Sequence, residues 1–171
     1  MVHGCSEPRR RRRKVGTMAL QTFSHVGMCV SDLDRSTAFY TGVLGFRELF
    51  TVELGPEVAA TMEIDGRFTS RMLARGDVRI ELLHWTEPEG QGDRTRRPMN
   101  QLGLTHLCFR VENIDDLFSS AEQMGGHVYR DTLSVMEGAG EDAGPVKTVY
   151  LCDPDGVRIE CISGTPDLAG P

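Results

Sequence analysis

At 171 residues the chain is one ordinary domain or two small fused modules, and its 39% hydrophobic share suits a globular protein. The net charge is −6, but residues 1–17 hold Arg9 to Arg13, Lys14 and Glu7, or +5, which leaves −11 on the remainder. An acidic body argues against nucleic acid as the main partner, and no apolar run approaches the ~20 residues of a membrane span.

Residues 1–20 read as a disordered basic tail. The Arg9–Arg13 run also has the composition of a nuclear signal or an anionic-surface anchor. It lacks the apolar core of a secretory signal. Met18 lies just before the first strand, so residues 1–17 are expected to be an extension from an early start site. The five cysteines form no CxxC pair, which fits reduced thiols in a cytoplasmic protein.

A first module is expected over residues 21–86. Phe23–Val30 reads as a strand, and Ser31-Asp32-Leu33-Asp34 is a capping signal for a helix running to about Leu44. Gly45 ends that helix. Strands follow near Phe46–Glu53, Arg67–Ala74 and Val78–Trp85. Residues 87–102 form a linker with Pro88, Gly90, Gly92 and Pro98. A second module covers 103–164, with a strand at Gly103–Val111 and an N-cap at Asn113. Ile114, Leu117, Phe118, Ala121 and Met124 then form a helical stripe that Gly125-Gly126 stops. Strands follow near His127–Thr132, Val146–Cys152 and Val157–Ser163, the last two joined by a turn at Asp153-Pro154-Asp155-Gly156. The Gly-rich, acidic stretch Ser134–Gly144 reads as a loop, either a lid or plain surface, and 165–171 as a tail. The fold class is therefore α+β, with two βαβββ modules.

The modules look duplicated. Val-Arg-Ile-Glu occurs at Val78–Glu81 and again at Val157–Glu160. Each half opens with a strand histidine; His25 and His106 are 81 residues apart, and Glu81 and Glu160 are 79 apart. Side chains alternate faces along a strand, so each Glu lies opposite the regularly apolar set. A lone strand His is more often hydrogen-bonded scaffolding, and a lone strand Glu usually faces solvent. The duplication changes this, because two imidazoles and two carboxylates together suit one divalent metal. His25, Glu81, His106 and Glu160 are the expected ligands. No Cys joins them, so a closed structural zinc site is not expected, and two octahedral positions stay open. Ni, Co, Zn, Mn and Fe all remain candidates.

Trp85 shares its face with Glu81, so it either lines a substrate cavity or fills the core at a strand end. Cys29 and Cys108 share the faces of His25 and His106 and read either as small core residues or as thiols near the site. His84 has the wrong parity and His127 sits at a strand entry; both read as structural or surface residues.

Between Phe23 and Ser163 the chain resembles the vicinal oxygen chelate superfamily, which includes glyoxalase I, methylmalonyl-CoA epimerase, extradiol dioxygenases and antibiotic-resistance proteins. The carriers are Ser24-His25-Val26-Gly27, Ser31-Asp32-Leu33-Asp34-Arg35-Ser36, Phe39-Tyr40-Thr41-Gly42-Val43-Leu44-Gly45-Phe46, Thr105-His106-Leu107, Asp153-Pro154-Asp155-Gly156 and both Val-Arg-Ile-Glu copies. The resemblance implies paired βαβββ modules forming a metal-binding cup. The His-Glu-His-Glu order is similar to bacterial glyoxalase I and implies lyase or isomerase chemistry on a small carbonyl or thiol-adduct substrate. In it the metal stabilises an enediolate, Glu160 acts as general base and Glu81 is its pseudo-symmetric counterpart.

Two positions depart from the glutathione enzymes. Cys29 stands where they carry Arg, and Trp85 where they carry Asn. Arg110, at the duplicate of the Cys29 position, would serve a substrate anion from the other wall. The alternatives are an acyl-CoA epimerase, a non-catalytic drug- or metabolite-binding protein and an extradiol-type dioxygenase. A homodimer is expected, because paired modules leave sheet edges to be covered, with the cup formed within one chain or between two.

Overall fold

The computed structural model describes residues 21–137 and 144–164. The expected tails and most of the expected loop after Ser134 lie outside those residues. The first half runs β1 (Val26–Cys29), α1 (Leu33–Gly42), β2 (Arg47–Leu54), α2 (Pro56–Ala59), β3 (Arg67–Arg75) and β4 (Val78–Glu87). The second runs β5 (Leu107–Arg110), α3 (Asp115–Gln123), β6 (His127–Met136), β7 (Val146–Cys152) and β8 (Arg158–Ser163). Each half forms one four-stranded mixed sheet, in the orders β1-β4-β3-β2 and β5-β8-β7-β6. The first strand of each pairs parallel with the last, and the other pairings are antiparallel. The α+β architecture with two matching modules is as the strand pattern indicated.

Several boundaries differ from the sequence reading. β1 and β5 are shorter at their N-terminal ends than the apolar pattern suggested. Gly103 adopts φ +120°, outside the strand region. β6 continues to Met136, so Ser134 to Met136 belong to a strand rather than a loop. The alternation through Leu133 and Val135 carries the strand past the point where polar residues suggested a break. The short helix α2 and the 3-10 turn Ala60–Met62 behind it are too brief to leave a periodic signal.

Local chemistry explains α1. Asp32 is extended at φ −145° and its carboxylate accepts from the Arg35 amide at 2.9 Å. At α3 the cap position is Ile114, while Asn113 accepts from the Asp115 amide at 3.0 Å. Each helix covers one face of its sheet, and the two covered faces meet in a single core. Tyr40, Phe39, Ile80 and Leu82 from the first module join Ile114, Val149, Leu151 and Ile159 from the second. A relay of edge-on rings, Phe39 to Tyr40 to Phe46 to Phe109, crosses between them at centroid spacings of 5.3, 6.1 and 5.8 Å.

A polar lock joins the same two modules. The β7–β8 turn places Asp155 over the N-terminus of α1. There its carboxylate accepts from the Ser31 amide (3.1 Å), the Ser31 hydroxyl (2.5 Å), the Ser36 hydroxyl (3.2 Å) and Arg35 Nη2 (3.0 Å). Asp153, also buried, accepts from the Tyr40 hydroxyl at 2.9 Å and from the amides of Asp155 and Val157. Its burial holds the Asp153 carboxyl above the usual range, partly opposed by those hydrogen bonds. Among the described residues no helix is long and apolar enough to cross a membrane.

Candidate metal centre

In both sheets the face turned away from the helices carries the candidate ligands. Ile80 and Leu82 are buried in the core, while Glu81 projects from the opposite side of β4. Ile159 and Cys161 are likewise buried, with Glu160 between them on β8. The registers match: Gly27 stands opposite Glu81, and Cys108 opposite Glu160. Each histidine lies two residues before that partner and just ahead of its strand.

The geometry within each module is nearly the same. His25 Nε2 lies 3.2 Å from Glu81 Oε2, and His106 Nε2 lies 3.1 Å from Glu160 Oε2. On the other ring nitrogen, Nδ1 of His25 meets the Ser24 hydroxyl at 2.9 Å, and Nδ1 of His106 meets the Thr105 hydroxyl at 2.9 Å. A hydroxyl able to take the Nδ1 proton favours the tautomer that leaves the Nε2 lone pair free for a cation. Neighbouring donors at right angles around a metal, with bonds of about 2.1 Å, sit about 3 Å apart. Both His–Glu pairs therefore fit two adjacent positions of one coordination sphere.

The four residues do not come together within one chain. Among the described residues no three His, Cys, Asp or Glu side chains cluster closely enough to hold a metal. The expected four-donor set is present as two half-sites, each on a face turned away from the shared core.

The carboxylates have different supports. The Ser70 hydroxyl donates to Glu81 Oε1 at 2.5 Å from the adjoining strand. Glu160 is met instead by the Cys108 thiol and the Tyr150 hydroxyl, and both of these groups are held above their ordinary pKa, first by burial and then by the Glu160 charge. Cys108 is pushed up to about 11. The Tyr150 ring also stands edge-on to His106, with centroids 5.7 Å apart. Strand alternation places Cys108 on the face of His106; it does not point to Ser70 or Tyr150. The repeated hydroxyl-His pairs, Ser24-His25 and Thr105-His106, were a usable signal; Ser70 and Tyr150 needed the strand register.

The proposed substrate-side residues separate. Trp85 is 7% exposed and stacks on Phe68 at a centroid distance of 4.6 Å, in a small cluster with Ala59 on the open face of the first sheet. Its remaining edge faces a cavity of about 440 Å³ shared with Cys29, Ile64 and Pro88. Trp85 is thus both a packed residue and a cavity wall. Cys29 is exposed at the end of β1, and its thiol is raised by partial burial and then by the Asp155 charge. Arg110 extends from the end of β5 and donates through Nη1 to the Gly164 carbonyl.

Comparison with known proteins agrees with this architecture. Residues 22–161 match the model of the glyoxalase/bleomycin resistance protein/dioxygenase superfamily. The chain belongs to this superfamily. It is 33% identical over 144 residues to a lactoylglutathione lyase of Salmonella typhimurium, covering 81% of this chain and 89% of that protein. Among solved structures, a glyoxalase family protein from Bacillus cereus superposes with a TM-score of 0.73 at 21% identity, over 88% of this chain and 99% of that one. The fosfomycin resistance protein FosX from Listeria monocytogenes, solved with Mn(II) and sulfate, gives a TM-score of 0.56 at 16% identity, over 86% and 95% of the two chains.

Proposed function

We propose that the protein is a metal-dependent lyase or isomerase of the glyoxalase type, acting on a small carbonyl or thiol-adduct substrate. The observation that carries this reading is the pair of matched His–Glu half-sites, at 3.2 and 3.1 Å, each with its histidine Nδ1 met by a hydroxyl. Similarity to a lactoylglutathione lyase and to a fold neighbour solved with Mn(II) supports it.

His25, Glu81, His106 and Glu160 would hold one divalent ion. When bound, such an ion supplies Lewis-acid polarisation of a substrate oxygen. The remaining work falls to the chain. Glu160 would accept a proton from the carbon next to that oxygen and return it to the neighbouring carbon. General-base help of this kind contributes about 10²–10⁴ in rate. Tyr150 and Cys108 fix the position of that carboxylate. Ser70 holds Glu81 in the same way, so the two carboxylates differ in their surroundings although the modules are duplicated.

The cup is completed by a second copy of the chain in this reading. The half-sites of one chain form no cluster, and each lies on an open face. Apolar side chains also remain exposed there and nearby, including Phe50, Val52 and Leu104. Burial of such a surface against a symmetric partner would bring the first module of one chain to the second module of the other.

Complementation tests this without knowledge of the substrate. His25→Ala and Glu160→Ala chains are each expected to lose tight metal binding. Mixed and allowed to exchange, they should regain one tightly bound metal per pair, because one cup would then have all four ligands. Proven subunit exchange without recovery would refute the two-chain cup. For the reaction, deuterium exchange from solvent should be followed with hemithioacetals and acyl-CoA esters in parallel. Exchange confined to acyl-CoA esters would replace the glyoxalase reading with an epimerase.

A further inference from the structure

A cavity of about 270 Å³ opens beside His106, where β1, the linker and the β7–β8 turn come together. Its floor is apolar, with Met28, Leu104, Leu107 and Val157. Its polar lining includes Arg97 and Arg158, next to His106. The volume lies below the ~300–1,000 Å³ usual for drug-sized ligands, so any occupant is small.

The arginines are held in place but not neutralised. Arg158 Nη2 donates to the Arg97 carbonyl, and its guanidinium lies 5.8 Å from the centre of the Tyr150 ring. Arg97 donates to Gln101 Oε1 at 3.1 Å and to the Leu102 carbonyl at 3.2 Å. Arg96 covers the Tyr129 ring at 3.5 Å and so fastens the linker to the second sheet. Among the described residues, none of these three arginines pairs with a carboxylate. Asp155 also lines the cavity, but its oxygens are taken by Ser31, Ser36 and Arg35, with Arg94 Nε at 3.8 Å. Two neighbouring arginines thus stand above an apolar floor with no carboxylate of the described residues within salt-bridge distance, in a chain of net charge −6.

We propose that this cavity binds the oxyanion of a small organic acid, with Arg158 and Arg97 on the acid group and the apolar body lying against Met28, Leu104 and Val157. Arginine suits this role because its planar fork matches a carboxylate or phosphoryl group. The site lies beside the reacting centre. Arg158 is two residues from Glu160 on the same face of β8, about 6.5 Å along the strand. His106 lines the same cavity. The proposal rests on the reading of Glu160 and His106 as the reacting centre only in calling that acid the substrate; binding of the acid itself does not require the metal. It narrows the substrate to one carrying a negative group a few bonds from its reactive carbonyl.

The test uses the full chain, stripped of metal and then reloaded. Calorimetry would compare phenylacetate, the uncharged phenylacetamide and inorganic phosphate. Phenylacetate is expected to bind metal-free protein, phenylacetamide at least about tenfold more weakly, and phosphate to compete with phenylacetate. Arg158→Gln and Arg97→Gln should each weaken phenylacetate by about 10–100-fold, the range of a charge-assisted hydrogen bond, and leave phenylacetamide unchanged. Arg158→Lys keeps the charge but loses the fork and should fall between. In unaltered protein, phenylacetate should move the Nε–Hε resonances of Arg97 and Arg158, a readout independent of how any variant folds. Equal binding of acid and amide, or unmoved arginine resonances at saturation, overturns the proposal. If phenylacetate binds but the four-residue metal set fails its own test, the cavity stands and the metal reading falls; metal binding without acid binding gives the reverse.

Discussion

Asp155→Ala removes at once the acceptor for Ser31, Ser36 and Arg35. The cost can be worked partner by partner. Ser36 is fully buried and loses an acceptor it cannot replace with water, about 1–3 kcal/mol. The Arg35 side chain is 35% exposed and recovers some hydration, so its share is about 1 kcal/mol. Ser31 is exposed and resolvates almost freely. The sum is about 2–4 kcal/mol, well above the ~0.5 kcal/mol of an ordinary surface change. At this chain length that lowers Tm by about 5–15 °C. Urea denaturation and calorimetry would measure it, with Asp155→Asn expected to cost less because it keeps one acceptor. A double-mutant cycle with Arg35→Ala should give a coupling of about 0.5–3 kcal/mol. A stability change within ~0.5 kcal/mol for the alanine variant would show that the lock does not hold the modules together.

Glu81→Gln and Glu160→Gln should each weaken metal binding, with the larger loss of turnover at Glu160; full occupancy and turnover in both would refute the ligand set. Ser70→Ala should lower metal affinity by about 10–100-fold through Glu81, measured by competition with a chelator, and an unchanged affinity would remove Ser70 from the site. Trp85 fluorescence should shift when ligand fills the neighbouring cavity, and an unchanged spectrum at saturation would make it purely a packing residue. Cys108 and Cys161 are held up to about 11 and about 12 by burial, so the folded state keeps protons that the unfolded chain releases near 9. Stability should therefore be complete below about pH 9 and fall as pH rises through 11 to 12; Cys161→Ala should flatten that decline, and an identical pH profile would refute the assignment.

Duplication made the half-sites legible. Each His and each Glu alone is ambiguous, but Val-Arg-Ile-Glu at the start of β4 and again at the start of β8 gives both glutamates one parity, which places them on the faces away from the helices. The convergence of the four was not legible, because strand alternation says which face a residue takes and nothing about where a second sheet lies. Trp85 was ambiguous for a related reason: its partner Phe68 sits on β3, and only the register brings the rings together. In the sequence Asp155 reads only as part of a turn, since its partners at and before the start of α1 are more than a hundred positions away. The linker looked unstructured by composition, yet Arg94, Arg96 and Arg97 all make specific contacts with the second module or its turn.

The two hairpin turns of the duplicated modules have different surroundings. At Gly76, between β3 and β4, an added side-chain carbon would meet nothing within 4 Å. At Gly156, between β7 and β8, it would lie 2.7 Å from the Arg94 carbonyl, and φ is +85°. The second turn is pressed between helix and linker, which together fix its length and shape. The first is free on its outer side. New chain ends, a fused tag or an inserted reporter domain therefore belong at Gly76-Asp77, where the duplicated architecture leaves a spare joint, and not at the corresponding turn of the second half.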